Sequence, residues 1–396
     1  MKVLEVVCGG AWGGGSVVVR SIVQGLLARG DRVWVVCSDD ENARKFAETG
    51  ANVVRPPLWL RPINPFDAVP FAYLTGLCLK EKFDLVATHT SKGGFIGRMA
   101  ARIAGVPHIV HHAHGFSFNK VLGPLSHKVF VQLERLAARA GDFIISVNDE
   151  HRSMAIRLGV VDPSGICTVH NGIDFRPHLK ADGRKTRHEL GFEDSDLLVG
   201  SVGRLAPQKG FVHLVRAMPL LLAQLPAAQL ILVGEGPLLA ELEAEARQSG
   251  VSDRIHFLGF RRDVPELLAA CDVFALPSLW EGLSISLLEA LAAGRPIVAT
   301  DIDGNREAIE DGKTALMVPA ADPAALAAAL KEVLTNPRLA ATLGHNARLS
   351  AQERFSQERM VAQNLAVYDR VVAAGRRGRL VAVVPPKSYD SLQIDN

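Results

Sequence analysis

Short runs rich in valine and isoleucine alternate with longer alanine- and leucine-rich stretches of helical period, and they do so twice along this chain. Strands and helices that alternate in this way form a parallel sheet, because each crossover helix returns the chain to the same edge and covers a face. In the first half the strand candidates are 3–7, 32–37, 52–55, 85–88, 108–112, 143–147 and 166–170, with helical patterns such as 16–29 and 92–104 between them. The second half offers 197–202, 229–233, 255–258, 273–275, 297–300 and 315–318, with helical patterns at 211–224, 238–248, 287–293 and 323–334. A polar, irregular segment at about 171–185 separates the halves and reads as a linker. The expected fold class is α/β: two Rossmann-like parallel-sheet domains, 1–180 and 186–355, facing across a crevice. Ligands of such sheets bind beyond the carboxyl ends of the strands.

Composition excludes several alternatives. The 396 residues are 48% apolar and carry a formal charge of +2, so bulk charge does not suggest a nucleic-acid partner. Cys8, Cys37, Cys78, Cys167 and Cys271 are scattered without metal-ligand spacing and read as buried thiols in a reducing compartment. Met1 leads directly into an apolar strand, so no signal peptide is expected, and no apolar run reaches the roughly 18 residues of a spanning helix. The expected location is cytoplasmic, with peripheral contact at the inner face of the cytoplasmic membrane left open.

The most informative stretch runs from Pro277 to Pro296. Glu281 and Glu289 stand eight positions apart, Ser284 offers a helix N-cap, and Gly294 with Pro296 ends the helix. Glu281 then lies in the loop before the helix and Glu289 in its second turn, at most about 12 Å apart. Carboxylates suit the paired hydroxyls of sugars, and that span matches the reach from a sugar across a diphosphate to a ribose. Alone, each Glu reads more simply as a structural charge, one at the helix start for its dipole and one on a solvated face. Upstream, Gly203-Arg204-Leu205-Ala206-Pro207-Gln208-Lys209-Gly210 follows a strand and opens a helix. Its two cations suit a diphosphate, Arg204 through its fork and Lys209 as a point charge. Gly234-Glu235-Gly236-Pro237 forms another loop at the same sheet edge.

In the first half, a glycine-rich loop from Gly9 to Gly15 follows the first strand and opens a helix, as a phosphate-approaching turn does. It is not a regular dinucleotide fingerprint, which disfavours an oxidoreductase. His111-His112-Ala113-His114-Gly115 ends a strand. No carboxylate or cysteine cluster accompanies these histidines, so they do not read as a metal site. His114 is the candidate crevice residue, whereas His111 and His112 read as structural. Two surface candidates remain: the proline-containing loop at 56–73, and a basic amphipathic pattern at 119–139 that suits either core packing or an anionic membrane surface.

Taken together, Glu281-x7-Glu289 in its small-residue frame, Gly203-Arg204 with Lys209-Gly210, Gly234-Glu235-Gly236 and Asn171-Gly172-Ile173-Asp174 resemble the retaining family 4, or group 1, glycosyltransferases of GT-B fold. The resemblance covers nearly the whole chain. It implies a nucleoside-diphosphate sugar donor, most simply a UDP-sugar, with Arg204 and Lys209 on the departing diphosphate. Glu281, with Gly282, Leu283 and Ser284, would hold the donor sugar and Glu289 the ribose. Glu235 would join the donor site, His114 would sit near the reaction centre, and Gly13 and Gly14 would close over the phosphates. No metal or other cofactor is implied. His89 to Arg98, the histidine run and Arg61-Pro62-Ile63-Asn64-Pro65 look like bacterial capsule, O-antigen and exopolysaccharide transferases. That subgroup implies a polyprenyl-diphosphate-linked saccharide acceptor. The family also implies a last helix, 356–374, crossing back to the N-terminal domain; 375–396 lies outside the resemblance and would be a flexible tail. The competing readings are a sugar-nucleotide epimerase or phosphorylase on the same fold, and a non-catalytic nucleotide-binding or scaffold protein.

Overall fold

The computed structural model describes residues 1–8, 12–60, 64–116 and 123–375. Contacts divide the chain into two units. The first joins residues 1–170 to those from Arg359 onward; the second runs from Asn171 to Glu358.

The first unit contains β1 (Lys2–Val6), β2 (Arg32–Val36), β3 (Asn52–Val54), β4 (Leu85–His89), β5 (His108–Ala113), β6 (Phe143–Ser146) and β7 (Ile166–Thr168). They form one sheet in the order β3-β2-β1-β4-β5-β6-β7, parallel throughout. In the second unit β8 (Leu197–Val202), β9 (Ala228–Val233), β10 (Ile255–Phe257), β11 (Val273–Leu276), β12 (Ile297–Thr300) and β13 (Leu316–Val318) pair in the order β10-β9-β8-β11-β12-β13, again all parallel. Each strand lies within two residues of its expected place. Such strands are legible because both faces are covered, so they read as continuous apolar runs. Strand order reverses between β1 and β4 in one sheet and between β8 and β11 in the other. Those switch points open the crevices where doubly wound sheets take ligands.

Each unit has its own core. Val199, Leu214, Met218, Leu230 and Val298 pack in the second; Leu4, Val36, Val86 and Ile109 pack in the first. A buried side chain of this size contributes about 1.5–3 kcal/mol.

Two expectations change. The segment 171–185 is not an irregular linker: it carries helices Arg176–Lys180 and Gly183–Glu189 and belongs wholly to the second unit. The reason is the pairing made by the second helix. Arg187 donates to the Ala270 carbonyl at 3.0 Å and to the Asp272 carboxylate at 3.2 Å, fastening the segment beside β11. The first unit therefore ends near 170 rather than 180, and the second begins at 171 rather than 186. The last helix, Gln357–Ala374, belongs to the first unit from Arg359 on. Val361 packs on Gly25, where an added Cβ would lie 2.3 Å from its Cγ1. Arg29 pairs with Asp369 at 2.8 Å. Of the expected tail, 375–396, residues 376–396 lie outside the described residues, as do Gly9 and Gly10 of the glycine-rich loop, Arg61-Pro62-Ile63 and the beginning of the 119–139 pattern.

Candidate active site

In the second unit, two loops leave adjacent strands at the switch point. The first follows β8 and turns through a short 3-10 segment, Pro207–Lys209, into helix Phe211–Leu222. The second follows β11 and leads into helix Ile285–Ala292. Gly210 joins them. Its φ is +61°, and a Cβ there would meet the Pro277 carbonyl oxygen at 2.2 Å. Only glycine fits both constraints. The Leu279 amide then donates to the Gln208 carbonyl at 2.8 Å.

This close approach brings Lys209 against Glu281. Lys209 Nζ lies 2.6 Å from Glu281 Oε1, and both side chains are largely buried. Ser278 Oγ donates to the same carboxylate at 2.7 Å and Gln208 Nε2 to its other oxygen at 3.1 Å. Thr300 Oγ1 in turn donates to the Ser278 carbonyl at 2.5 Å, tying the loop to β12. A buried carboxylate so supplied with donors is held in one orientation.

Ser284 stands at the N-cap position of helix Ile285–Ala292, as expected, but its side chain does not cap. Lys209 Nζ approaches its hydroxyl at 3.4 Å, and the hydroxyl of Ser286 lies 3.0 Å away. The hydroxyl is thus turned toward Ser286 and Lys209 instead of a helix amide. Leu283 is buried, and its carbonyl accepts from Asn171 Nδ2 at 2.9 Å. Gly282 is held close to the start of the next helix: a Cβ on Gly304 would lie 2.5 Å from the Gly282 carbonyl oxygen. Glu289 occupies the second helical turn. Burial pushes its carboxyl up to about 7, with a smaller opposing pull from Lys209. Arg204 and Glu235 are exposed, and the two loops lie together: Leu205 N donates to the Glu235 carbonyl at 2.9 Å.

The first unit carries a second constellation at its own switch point. Gly13 is the N-cap of helix Gly14–Ala28, and its carbonyl accepts from the Val17 amide at 3.0 Å. His114 follows β5 and is half-buried; its Nε2 lies 3.0 Å from His89 Nδ1 at the end of β4. His89 Nε2 lies 2.6 Å from Glu5 Oε2 on β1, and Glu5 is completely buried. Tyr368 from the last helix donates to the other Glu5 oxygen at 3.0 Å and meets His112 Nε2 at 2.8 Å. Burial, then the neighbouring His89, holds His114 down to about 3, and burial holds His111 and His112 well below the usual imidazole range. His111 Nδ1 contacts Thr88 Oγ1 at 3.0 Å. His111 and His112 are thus internal, hydrogen-bonded groups.

Sequence reasoning missed Glu5, Tyr368, Gln208 and Ser278. Glu5 alone left a signal: it is one carboxylate inside an otherwise apolar strand, where an unpaired charge is costly.

Comparison with known proteins agrees with this architecture. Residues 12–176 match the Glycosyltransferase Family 4 model, and residues 182–350 match the model described as Glycosyl transferases group 1. An Escherichia coli relative, UDP-Gal:alpha-D-GlcNAc-diphosphoundecaprenol alpha-1,3-galactosyltransferase, is 36% identical over 234 residues, 58% of this chain and 60% of that one. Alpha-maltose-1-phosphate synthase of Mycolicibacterium smegmatis is 30% identical over 91% of this chain and 96% of that one. Among solved structures, Anabaena HepE in complex with UDP and glucose superposes with a TM-score of 0.82 at 25% identity, covering 93% of this chain and 99% of that one. The chain belongs to the group 1 glycosyltransferases of family 4, and it is a glycosyltransferase of GT-B fold.

Proposed function

We propose that this enzyme transfers a sugar, with retention at the anomeric carbon, from a UDP-sugar to a hydroxyl of a polyprenyl-diphosphate-linked saccharide. The bond from the anomeric carbon to the diphosphate breaks, the acceptor oxygen bonds to the same face, and the hydroxyl proton leaves with the diphosphate. The observation that carries the reading is the Lys209–Glu281 pair at the switch point, with Arg204 on the same loop as Lys209. Charge grows on the departing diphosphate, so Arg204 and Lys209 act more on turnover than on ground-state binding. Glu281, already oriented by Ser278 and Gln208, accepts from donor-sugar hydroxyls beside Gly282, Leu283 and Ser284. Glu289 takes the ribose hydroxyls and Glu235 lies along the donor; in the first unit, the Gly13–Gly14 turn opens a helix whose N-terminal amides suit a phosphate. The two cations and the helix amides supply the electrostatic role a metal would otherwise play, so no cofactor is required.

The acceptor assignment draws on the diphosphoundecaprenol acceptor in the Escherichia coli relative's name and on a feature of the first unit. Helix Pro124–Ala140 exposes Leu125, Val129 and Leu136 on one face, with Lys128 and Arg139 exposed nearby. It packs beside helix Ser91–Ile103, which packs beside helix Ala68–Glu81, and the latter exposes Val69 and Tyr73. Apolar groups rimmed by cations suit an anionic lipid surface at the inner face of the membrane. Among the described residues no helix is long and apolar enough to cross a membrane.

The test is release of nucleoside diphosphate from a panel of UDP-, GDP- and ADP-sugars, with and without polyprenyl-diphosphate-saccharide, chelator and anionic vesicles. Release from a UDP-sugar that needs the lipid-linked acceptor, survives chelator and falls about 100-fold in Arg204→Ala is expected. Full turnover on a water-soluble acceptor with no vesicle binding would overturn the acceptor assignment. An inverted anomeric centre in the product would overturn retention.

A further inference from the structure

Glu5, His89, His112, His114 and Tyr368 come from four elements and meet at the carboxyl ends of β1, β4 and β5. Three imidazoles lie nearly parallel, with His89 ring centroids 4.5 Å from His112 and 5.3 Å from His114. Beside them Thr90 has φ +63°, a rare conformation for a β-branched residue. It is held there by its hydroxyl, which donates to the Cys8 carbonyl at 2.6 Å and accepts from the Gly93 amide at 3.3 Å. The backbone is thus strained where it aims His89.

We infer that Glu5, His89 and Tyr368 are positioning residues that fix the tautomer of His114, so that its Nδ1 is an unprotonated acceptor for a hydroxyl of the bound substrates.

A carboxylate only accepts. Tyr368 Oη donates to Glu5 Oε1, so Oε2 remains for His89, whose Nε2 faces it at 2.6 Å. The His89 proton therefore sits on Nε2. With His89 neutral, as this relay requires, its Nδ1 is a lone pair, and His114 Nε2, 3.0 Å away, must donate. That places the proton of neutral His114 on Nε2 and leaves Nδ1 bare. His114 is neutral at pH 7, since burial and His89 hold it down to about 3. His112 joins from the side: it donates through Nε2 to the Tyr368 oxygen at 2.8 Å, which turns the phenol proton toward Glu5. The role of His114 rests on the transferase reading; the tautomer does not.

Glu5→Gln changes almost no volume but reverses the chain of donors. Tyr368 keeps donating to the amide oxygen, so the amide NH2 faces His89 Nε2. His89 then carries its proton on Nδ1, donates to His114 Nε2, and forces the His114 proton to Nδ1. The experiment is 15N imidazole NMR of the full chain labelled on histidine, with His114→Gln to assign the signal, alongside steady-state kinetics. The expected result is an Nε2–H His114 in the parent chain and an Nδ1–H His114 in Glu5→Gln. The variant's kcat should fall about 10- to 100-fold at a donor KM within a factor of two or so. An Nδ1–H His114 in the parent chain, or one unmoved in Glu5→Gln, would overturn the relay whatever the activity. A moved tautomer with parental kcat would overturn its part in transfer. The expected spectra from a chain that releases no diphosphate with any donor would leave the relay standing and remove the transferase reading alone.

Discussion

At the scale of single residues, the candidate site of the second unit is held in place by its own side chains. Glu281 receives a lysine, a serine and an amide side chain, so its carboxylate is both paired and aimed. For Glu289 burial outweighs the pull of Lys209 and lifts the carboxyl to about 7. This predicts a proton linkage. If Glu289 takes the ribose as proposed, its hydroxyls donate to the ionised form, so donor binding draws Glu289 toward its carboxylate. The folded, ligand-free carboxyl is protonated below pH 7, so UDP affinity should weaken by up to about tenfold per pH unit below 7 and level off above it. Glu289→Gln should flatten the slope. Calorimetry in buffers of different ionisation enthalpy at pH 6.5 would read the released proton directly; equal heats would refute the linkage.

At the scale of elements, the site exists because two loops can touch. The 3-10 turn Pro207–Lys209 ends at Gly210, whose left-handed φ lets helix Phe211–Leu222 begin immediately under the loop after β11. Gly210→Ala adds a Cβ in a disfavoured conformation and sets it against the Pro277 carbonyl oxygen. The expected cost is about 2–4 kcal/mol, more than an ordinary glycine replacement, because a backbone atom cannot rotate away. Denaturant unfolding would measure it. Donor binding should weaken as well, since the Lys209–Glu281 pair must separate for the loops to part.

At the scale of the whole molecule, the chain is folded from its two ends. Residues from Arg359 return to the first unit, where Tyr368 is fully buried and satisfies both Glu5 and His112. A chain ending at Gln357 would leave those groups buried without that partner and strip the cover from Gly25. Hydrogen exchange should then speed up in β1 and β2 while β8 and β9 keep their protection. Uniform loss in both units would show that the helix acts on the entire fold instead. The five thiols are buried, and desolvation raises all of them, four to about 12, which fits their reading as inert core groups.

The fold was legible because its information is local and periodic. Apolar runs marked the strands within two residues, and glycines and prolines marked the turns that follow them. The loop at 203–210 and the Glu281–Glu289 helix could be read because each lies within one strand–loop–helix unit. Other features depended on groups distant in sequence. Nothing near Ser284 announces that its hydroxyl faces Lys209 and Ser286 rather than capping its helix. Nothing near Asn171 says that Arg187 will bind the following segment into the second unit. The relay needs β1, β4, β5 and a helix more than 250 residues away to meet, as in the contact between His112 and Tyr368. Sequence alone determined the class of fold, the family and the candidate donor residues. Tertiary structure alone decided which buried charges have partners, because pairing in a low-dielectric interior is set by distances of about 3 Å that no spacing along the chain specifies.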